Sequence, residues 1–219
     1  MSARLLAEAL GTFFLFATVV GAGIMAEKLA GGNVAVALIG NTLPIAGMLF
    51  VIIVMLGPIS GAHFNPVVTL VMKLRGEIES GAALAYVLVQ VISGVLAVWA
   101  VHLMFELPII QIADTPRTGI GQWVSEGIAT FGLILTILAT ARAAPERVPV
   151  SVALYIFAAC WFTSSTSFAN PAITIARSFT DTFAGIAAMD IPGFVAAQIA
   201  GALLAMGVGR VLLGPEPAV

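Results

Sequence analysis

Two short stretches decide the fold of this chain: residues 60–69 read SGAHFNPVVT, and residues 167–176 read SFANPAITIA. Each lies inside otherwise apolar sequence, and each contains Asn followed by Pro. Asn is a preferred helix N-cap, and Pro is favoured at the first helical position, where no backbone donor is lost. The two stretches therefore predict short helices that begin after Asn65 and after Asn170.

The composition indicates a membrane protein. Of the 219 residues, 60% are hydrophobic and only 9% are charged, and the mean hydropathy is +1.10. A soluble domain carries about 25% charged residues, so this chain has too few charges to cover a surface in water. The formal net charge of -2 also provides no basic surface for a nucleic acid. We expect one integral membrane domain over residues 1–219, with the lipid bilayer as its surroundings and no nucleic-acid partner.

The reactive side chains are few. The chain has one cysteine, Cys160, and two histidines, His63 and His102, which are far apart in sequence. One cysteine excludes an internal disulfide framework and a cysteine-based metal cluster. The sequence shows no nucleophile–base pair and no phosphate-binding loop. We therefore expect no metal, no cofactor and no enzymatic activity.

Six apolar segments are long enough to cross a bilayer, which takes about 20 residues. The helical parts that follow the two Asn-Pro pairs, about residues 66–75 and 171–180, are too short to cross. They are also too apolar for ordinary loops, which predicts re-entrant half-helices. The six predicted spans are residues 5–26, 33–57, 80–104, 121–141, 148–166 and 190–213.

The basic residues predict the orientation. With an even number of spans, both termini lie on one side of the membrane. Lys and Arg are enriched on the cytoplasmic side of membrane proteins. We therefore expect cytoplasmic termini in a multi-pass cell-membrane protein, such as one of a bacterial inner membrane. The side of the termini would hold six of the nine basic residues, namely Arg4, Lys73, Arg75, Arg142, Arg147 and Arg210.

The two halves of the chain resemble each other, with repeats at about residues 1–110 and 118–219. Three landmarks recur in the same order. Each half holds three spans, an odd number, so the second copy is inverted relative to the first. Inverted repeats with short, broken segments at matching places indicate a site near the bilayer midplane. The paired landmarks are EALGTFFL at Glu8 with EGIATFGL at Glu126, FNPVVT with ANPAIT, and QVISGVLA at Gln90 with QIAGALLA at Gln198.

Inversion brings the two half-helices in from opposite faces, with their N-termini meeting near the centre. Non-helical backbone at that depth requires a water-filled cavity or burial in protein. Each helix N-terminus carries a partial positive charge of roughly half an elementary charge, which repels cations and protons. The amides of Asn65 and Asn170 are expected to remain free to donate hydrogen bonds to a neutral solute.

With these features the chain resembles the aquaporin and glycerol facilitator family, the major intrinsic proteins. The resemblance implies an all-α membrane fold of six transmembrane helices plus two re-entrant half-helices, built as inverted three-span repeats. It also implies one pore per protomer, a homotetramer, and passive movement of water or small uncharged solutes. The stretches that carry it are AEALGTFF, SGAHFNPVVTL, YVLVQVISG, SEGIATFGLI and FANPAIT, with the pore motif at Asn65, Pro66, Val67, Asn170, Pro171 and Ala172.

The sequence departs from the family pattern after the second motif, where Ile173 occupies the position of the usual filter arginine. By the family's spacing, the other selectivity-filter positions fall on Ile45, Ala158 and Ser167. The resemblance thus implies an uncharged, mostly apolar ring that is wider than a water filter. Arg177, about one helical turn beyond Ile173, is expected at the outer mouth.

The stretch NPAITIAR resembles a bacterial branch of the family that is associated with arsenic resistance. We therefore expect passage of glycerol, arsenite or organic arsenicals as well as water. A water-selective aquaporin is one alternative. Another is an ion-coupled secondary transporter, which would use Glu8 and Glu126, and a third is a structural membrane protein with a closed pore.

Two further predictions concern polar residues inside the apolar sequence. Intramembrane carboxylates are functional by default, so Glu8 and Glu126 could form a proton relay. The family resemblance instead gives both a structural role, accepting hydrogen bonds from the backbone of the re-entrant loops. His63, two residues before Asn65, is expected in the pore-lining loop.

Overall fold

The structure is a computed structural model that describes residues 2–214, and within that range all regular secondary structure is helical. The predicted all-α membrane fold is confirmed. Short 3-10 turns cover Pro145–Arg147, Arg177–Phe179 and Ala188–Asp190. The α-helices are α1 (Ser2–Leu29), α2 (Val34–Ser60), α3 (Pro66–Leu74), α4 (Ser80–Met104), α5 (Ile120–Ala143), α6 (Val148–Phe162), α7 (Pro171–Ala176) and α8 (Ile191–Leu213).

Five of the described helices, α1, α2, α4, α5 and α8, are long and apolar enough to cross a membrane. The predicted span at residues 148–166 is shorter than expected. Its helix, α6, has 15 residues and ends at Phe162, because Thr163 is extended with φ −107° and ψ 142°. At 1.5 Å per residue such a helix is about 22 Å long, less than the hydrocarbon core of about 30 Å. The predicted span at residues 148–166 is thus a helix followed by non-helical chain that leads back to Asn170.

The two half-helices begin where the Asn-Pro pairs predict. In α3, Asn65 Oδ1 accepts from the backbone N–H of Val67 at 3.0 Å. In α7, Asn170 Oδ1 accepts from the N–H of Ala172 at 2.9 Å. The helices are shorter than predicted, with 9 and 6 residues, and the 3-10 turn Arg177–Phe179 follows α7 directly.

The long helices approach one another closely at glycines. A Cβ atom added to Gly201 of α8 would lie 2.2 Å from the carbonyl oxygen of Gly127 in α5. A Cβ at Gly94 of α4 would lie 2.5 Å from the ring of Phe16 in α1. Small residues of this kind allow helix backbones to pack closely where lipid provides no hydrophobic driving force.

The segment between α4 and α5 is bonded to the segment that follows α7. Ala113 N–H donates to the Ser178 carbonyl at 2.9 Å, and Ala187 N–H donates to the Thr115 carbonyl at 2.8 Å. His102 is completely buried, and its Nε2 lies 2.8 Å from Thr180 Oγ1. These bonds hold the segment between α4 and α5 against the segment that follows α7, at the same end of the molecule.

Candidate functional site

A cavity of about 510 Å³ passes between the helices and past both asparagines. Successive spans run in opposite directions, so Val34 at the start of α2 and Val148 at the start of α6 mark opposite ends. We call the end near Val34, Arg117 and Phe183 the outer mouth, and the end near Val148, Ala141 and Met72 the inner mouth. The wall between them is mainly apolar and includes Leu15, Val19, Ile45, Leu49, Ile53, Val68, Leu133, Val152 and Ile156.

The N-termini of α3 and α7 meet beside this cavity through their capping asparagines. Asn65 Nδ2 donates to the carbonyl of Ala169 at 2.8 Å, and Asn170 Nδ2 donates to the carbonyl of Phe64 at 2.9 Å. Each amide therefore makes one hydrogen bond within the protein, which the expectation of amides free for a solute did not include. An amide Nδ2 carries two protons, and one of them is used in the cross-bond. Each asparagine retains one N–H, and both side chains line the cavity.

The chain that leads into each half-helix has an unusual backbone. Ala62 and Phe64 have φ values of 50° and 48°, and Ser167 and Ala169 have φ values of 51° and 46°. Left-handed backbone is uncommon for residues with a Cβ and persists only where the surroundings enforce it. All four residues line the cavity.

Two buried carboxylates hold these segments in place. Glu8 Oε1 accepts from the backbone N–H of His63 at 3.0 Å, and Oε2 accepts from the N–H of Phe64 at 2.8 Å. Ser60 Oγ and Gln90 Nε2 supply one further hydrogen bond to each oxygen, at 2.7 and 2.8 Å. Each oxygen therefore accepts two hydrogen bonds from the loop and its neighbours.

Glu126 makes the matching set in the second half of the chain. Its Oε1 accepts from Phe168 N–H at 2.9 Å, and its Oε2 accepts from Ala169 N–H at 2.8 Å. Ser165 Oγ and Gln198 Nε2 complete the set, both at 2.6 Å. Because these backbone N–H groups donate to the carboxylates, the backbone carbonyl groups of the same two segments are left available to a solute in the cavity. The carbonyls of Ala62, His63, Ser167 and Phe168 accept no hydrogen bond from residues 2–214.

This arrangement has known counterparts. The sequence pattern of the Major intrinsic protein family matches residues 1–164 of the chain. Over 215 residues the chain is 51% identical to aquaglyceroporin AqpS of Rhizobium meliloti (strain 1021), covering 98% of this chain and 92% of that protein. The chain belongs to the major intrinsic protein family.

Two further comparisons agree with membership in the major intrinsic protein family. Glycerol uptake facilitator protein-like 6 of Lactiplantibacillus plantarum is 30% identical over 225 residues, covering 95% of this chain and 97% of that protein. The X-ray structure of the aquaglyceroporin from Plasmodium falciparum superposes with a TM-score of 0.72 at 16% identity, covering 98% of this chain and 97% of that one. At this identity the superposition supports the fold alone.

Within this major intrinsic protein, the structure places the predicted pore-motif residues in two groups. Asn65 and Asn170 line the cavity. The other four lie at the start of the half-helices. Of these, Val67 packs with Ile134 and Leu138, and Ala172 packs in the main apolar core. The remaining two motif residues, Pro66 and Pro171, occupy the first position of each half-helix.

Three of the four predicted filter residues, Ile45, Ser167 and Ile173, line the cavity. Ala158 does not, and its side chain is exposed on the outside of α6. Cys160 faces the cavity in its place. Residues two apart on an α-helix are related by a rotation of about 200° and so point in nearly opposite directions, and one helix cannot turn both inward. The prediction of Ala158 as a lining residue is therefore wrong.

At the outer mouth two arginines lie close to one aromatic ring. Arg177, predicted at this mouth, is buried and lines the cavity, and its guanidinium carbon lies 3.4 Å from the ring centroid of Phe168. The guanidinium carbon of Arg117 lies 5.1 Å from the same centroid. Arg117 comes from the long loop between α4 and α5. No local feature of the sequence predicts its position, because only tertiary contacts bring this loop to the mouth.

His63 lies in the cavity wall on the inner side of Asn65. Its Nδ1 lies 3.1 Å from Thr69 Oγ1, and its ring makes an edge-on contact with Tyr86 at 5.2 Å between centroids.

The lining positions of α6 could have been found from the sequence by their spacing of four residues. They are Val148, Val152, Ile156 and Cys160.

Proposed function

We propose that this protein is a passive channel for small uncharged solutes such as water and glycerol, with one passage in each chain. The observation that carries the proposal is the cavity that connects two mouths past a pair of cross-bonded asparagines. Membership in the major intrinsic protein family and the 51% identity to an aquaglyceroporin support the same function.

The polar groups along the passage suit a solute with hydroxyl groups. Each asparagine offers one amide proton, and the carbonyls of residues 62, 63, 167 and 168 offer acceptors. The rest of the wall is mainly apolar and fits the carbon atoms of a polyol. A hydrated cation gains little from this wall and meets the positive ends of α3 and α7 at the centre. The passage therefore admits neutral solutes and rejects cations and protons.

The proposed selectivity filter consists of Ile45, Cys160, Ser167 and Ile173, with Arg177 at the outer mouth. An isoleucine at position 173 brings no charge into the ring and offers an apolar contact for the carbon atoms of a weakly polar solute. We infer that this filter passes glycerol and also neutral trivalent metalloid hydroxides such as arsenite, and organic arsenicals of similar size. The filter's apolar character argues against a water-selective pore.

An ion-coupled transporter would need a carboxylate free to bind its coupling ion. Both oxygens of Glu8, and both of Glu126, already accept two hydrogen bonds each from the protein. These contacts support the structural role for both carboxylates and a passive mechanism. The family relationship likewise points to a channel, and no enzymatic activity is proposed.

The protein is a multi-pass membrane protein, and we place it in the cell membrane with both termini in the cytoplasm, as the basic residues favour. The family resemblance further suggests a homotetramer in which each chain keeps its own pore. Chemical crosslinking of the purified protein in detergent tests this assembly, and a ladder that stops at the dimer would contradict it.

The experiment that tests the function is a permeability panel in proteoliposomes, measured by stopped-flow light scattering. Water, glycerol, urea, boric acid and arsenite are each driven by their own gradient, with empty liposomes as the reference. We expect water and glycerol flux above the reference, an arsenite flux as well, and no dependence on sodium or proton gradients. Water flux with complete exclusion of glycerol and arsenite would refute the wide filter. Accumulation of a solute against its gradient would refute the passive mechanism.

A further inference from the structure

The two arginines of the outer mouth converge on one aromatic ring. The guanidinium carbon of Arg177 lies 3.4 Å from the centroid of Phe168, and that of Arg117 lies 5.1 Å from it. The two carbons therefore cannot be farther apart than the sum of these distances. This largest possible separation of the two guanidinium carbons is comparable to the Debye length of about 8 Å at physiological salt. The two like charges therefore repel each other in the partly desolvated mouth.

Neighbouring carbonyl groups of one loop hold both side chains in this position. Arg177 Nε donates to the carbonyl of Ala184, and Arg117 Nε donates to the carbonyl of Gly185 at 2.8 Å. Arg117 Nη1 makes one further, long contact of 3.5 Å with the Ser165 carbonyl. These bonds leave most of the terminal guanidinium N–H groups without a partner among the described residues. Both arginines line the cavity, so these donors face its solvent.

No carboxylate within residues 2–214 forms an ion pair with either arginine. Asp190 and Glu126 accept hydrogen bonds from other groups instead. Asp190 Oδ2 accepts the backbone N–H of Arg117 at 2.7 Å, and both oxygens of Glu126 are occupied by its loop. The outer mouth thus holds two fixed positive charges, a shared aromatic ring, and donors directed into an open cavity.

We propose that Arg117 and Arg177 form a binding site for a small oxyanion of the phosphate type at the outer mouth. Guanidinium groups pair with such anions through parallel charge-assisted hydrogen bonds, and a tetrahedral oxyanion has enough acceptors for both arginines at once. A bound anion also removes the repulsion between the two cations. Because the site lies in the wall of the passage, an anion held there obstructs solutes that enter or leave by the outer mouth.

This inference rests on the proposed channel function, and it differs from a purely bracing role for the arginines. If the guanidinium groups only held the loop carbonyls and Phe168, phosphate would have no effect on solute flux. If they bind oxyanions, phosphate acts as an inhibitor of glycerol passage, and the inhibition depends on the arginine side chains.

The test measures glycerol permeability of wild-type proteoliposomes with inorganic phosphate at equal concentration on both sides of the membrane. Equal concentrations remove any effect of the protein's orientation, and chloride at matched ionic strength is the control. We expect permeability to fall in a saturable manner with phosphate and to stay constant with chloride. Arg117→Gln should require about tenfold more phosphate for the same fractional inhibition, as expected for the loss of a charge-assisted hydrogen bond. Arg210→Gln changes an exposed arginine of α8, far from the mouth, and should keep the wild-type sensitivity.

Wild-type glycerol flux that is the same in phosphate and in chloride would overturn the anion site while leaving the channel intact. Equal inhibition of wild type and Arg117→Gln would also overturn it. A wild type without glycerol flux would instead refute the proposed function. Should Arg117→Gln fail to fold, calorimetric titration of the purified wild-type protein with inorganic phosphate decides: saturable binding supports the site, and its absence refutes it.

Discussion

Asn65 and Asn170 each donate a side-chain hydrogen bond to the carbonyl of the residue that precedes the other. The distances are 2.8 Å to Ala169 and 2.9 Å to Phe64. The same two side chains also cap α3 and α7 through their Oδ1 atoms. Each asparagine therefore both starts its own half-helix and ties it to the opposite one, which keeps the centre of the passage at a fixed width.

The first prediction concerns this double role. Asn65→Ala removes an N-cap bond and the bond to Ala169, so we expect a loss of about 2–3 kcal/mol of stability. Asn33 is a matched control because it caps α2 through Oδ1 at an exposed position and makes no cross-bond. Asn33→Ala should cost only about 1 kcal/mol. Thermal unfolding in detergent measures both variants, and equal losses would show that the cross-bond contributes nothing.

The second prediction uses the only cysteine of the chain, Cys160. Its side chain faces the cavity, so a small neutral methanethiosulfonate reagent that reaches it adds bulk inside the passage. We expect glycerol flux of the wild type to fall severalfold after treatment and to recover with a reductant. Each protein is compared with its own untreated sample. Cys160→Ser should show no response to the reagent, and a response in that variant would place the effect outside the pore.

The third prediction tests the uncharged filter. Ile173 is buried and lines the cavity, and arginine at this position is longer and carries a charge. We expect Ile173→Arg to reduce glycerol permeability relative to water permeability by at least about tenfold, equivalent to about 1.4 kcal/mol in barrier height. Ile173→Leu conserves volume and should leave this ratio near the wild-type value. A proportional loss of both permeabilities in Ile173→Arg would indicate a misfolded pore and contradict size selection at this position.

The fourth prediction concerns the contact between α5 and α8. A Cβ at position 201 would lie 2.2 Å from the Gly127 carbonyl oxygen, and this oxygen belongs to a helix backbone that cannot move alone. Gly201→Ala should therefore destabilise the protein by about 1–3 kcal/mol. Gly207 of the same helix has no heavy atom within 4 Å of its added Cβ, so Gly207→Ala should be neutral or slightly stabilising. Melting temperatures in detergent distinguish the two, and a neutral Gly201→Ala would contradict the close approach of these helices.

Much of this fold follows from local chemistry that the sequence carries by itself. Composition alone identifies a membrane protein, because a chain with 9% charged residues has too few charges to form a water-exposed surface. The two Asn-Pro pairs locate the half-helices, because capping and the missing proline N–H act within one helical turn. The repeated Glu8 and Glu126, together with the family resemblance, predict carboxylates that accept hydrogen bonds from the re-entrant loops, as the structure has them.

Tertiary structure decided what the spacing of residues could not. Which side of α6 faces the passage depends on the rotation of that helix against its neighbours. The family's spacing predicts Ala158 as the lining residue, whereas in the structure Ala158 faces outward and Cys160, two residues on, faces the passage. The partners of the asparagine amides, and the arrival of Arg117 beside Phe168, depend on segments far apart in sequence. Caps and hydropathy act over a few neighbouring residues, whereas helix rotation and loop placement come from the packing of the whole chain.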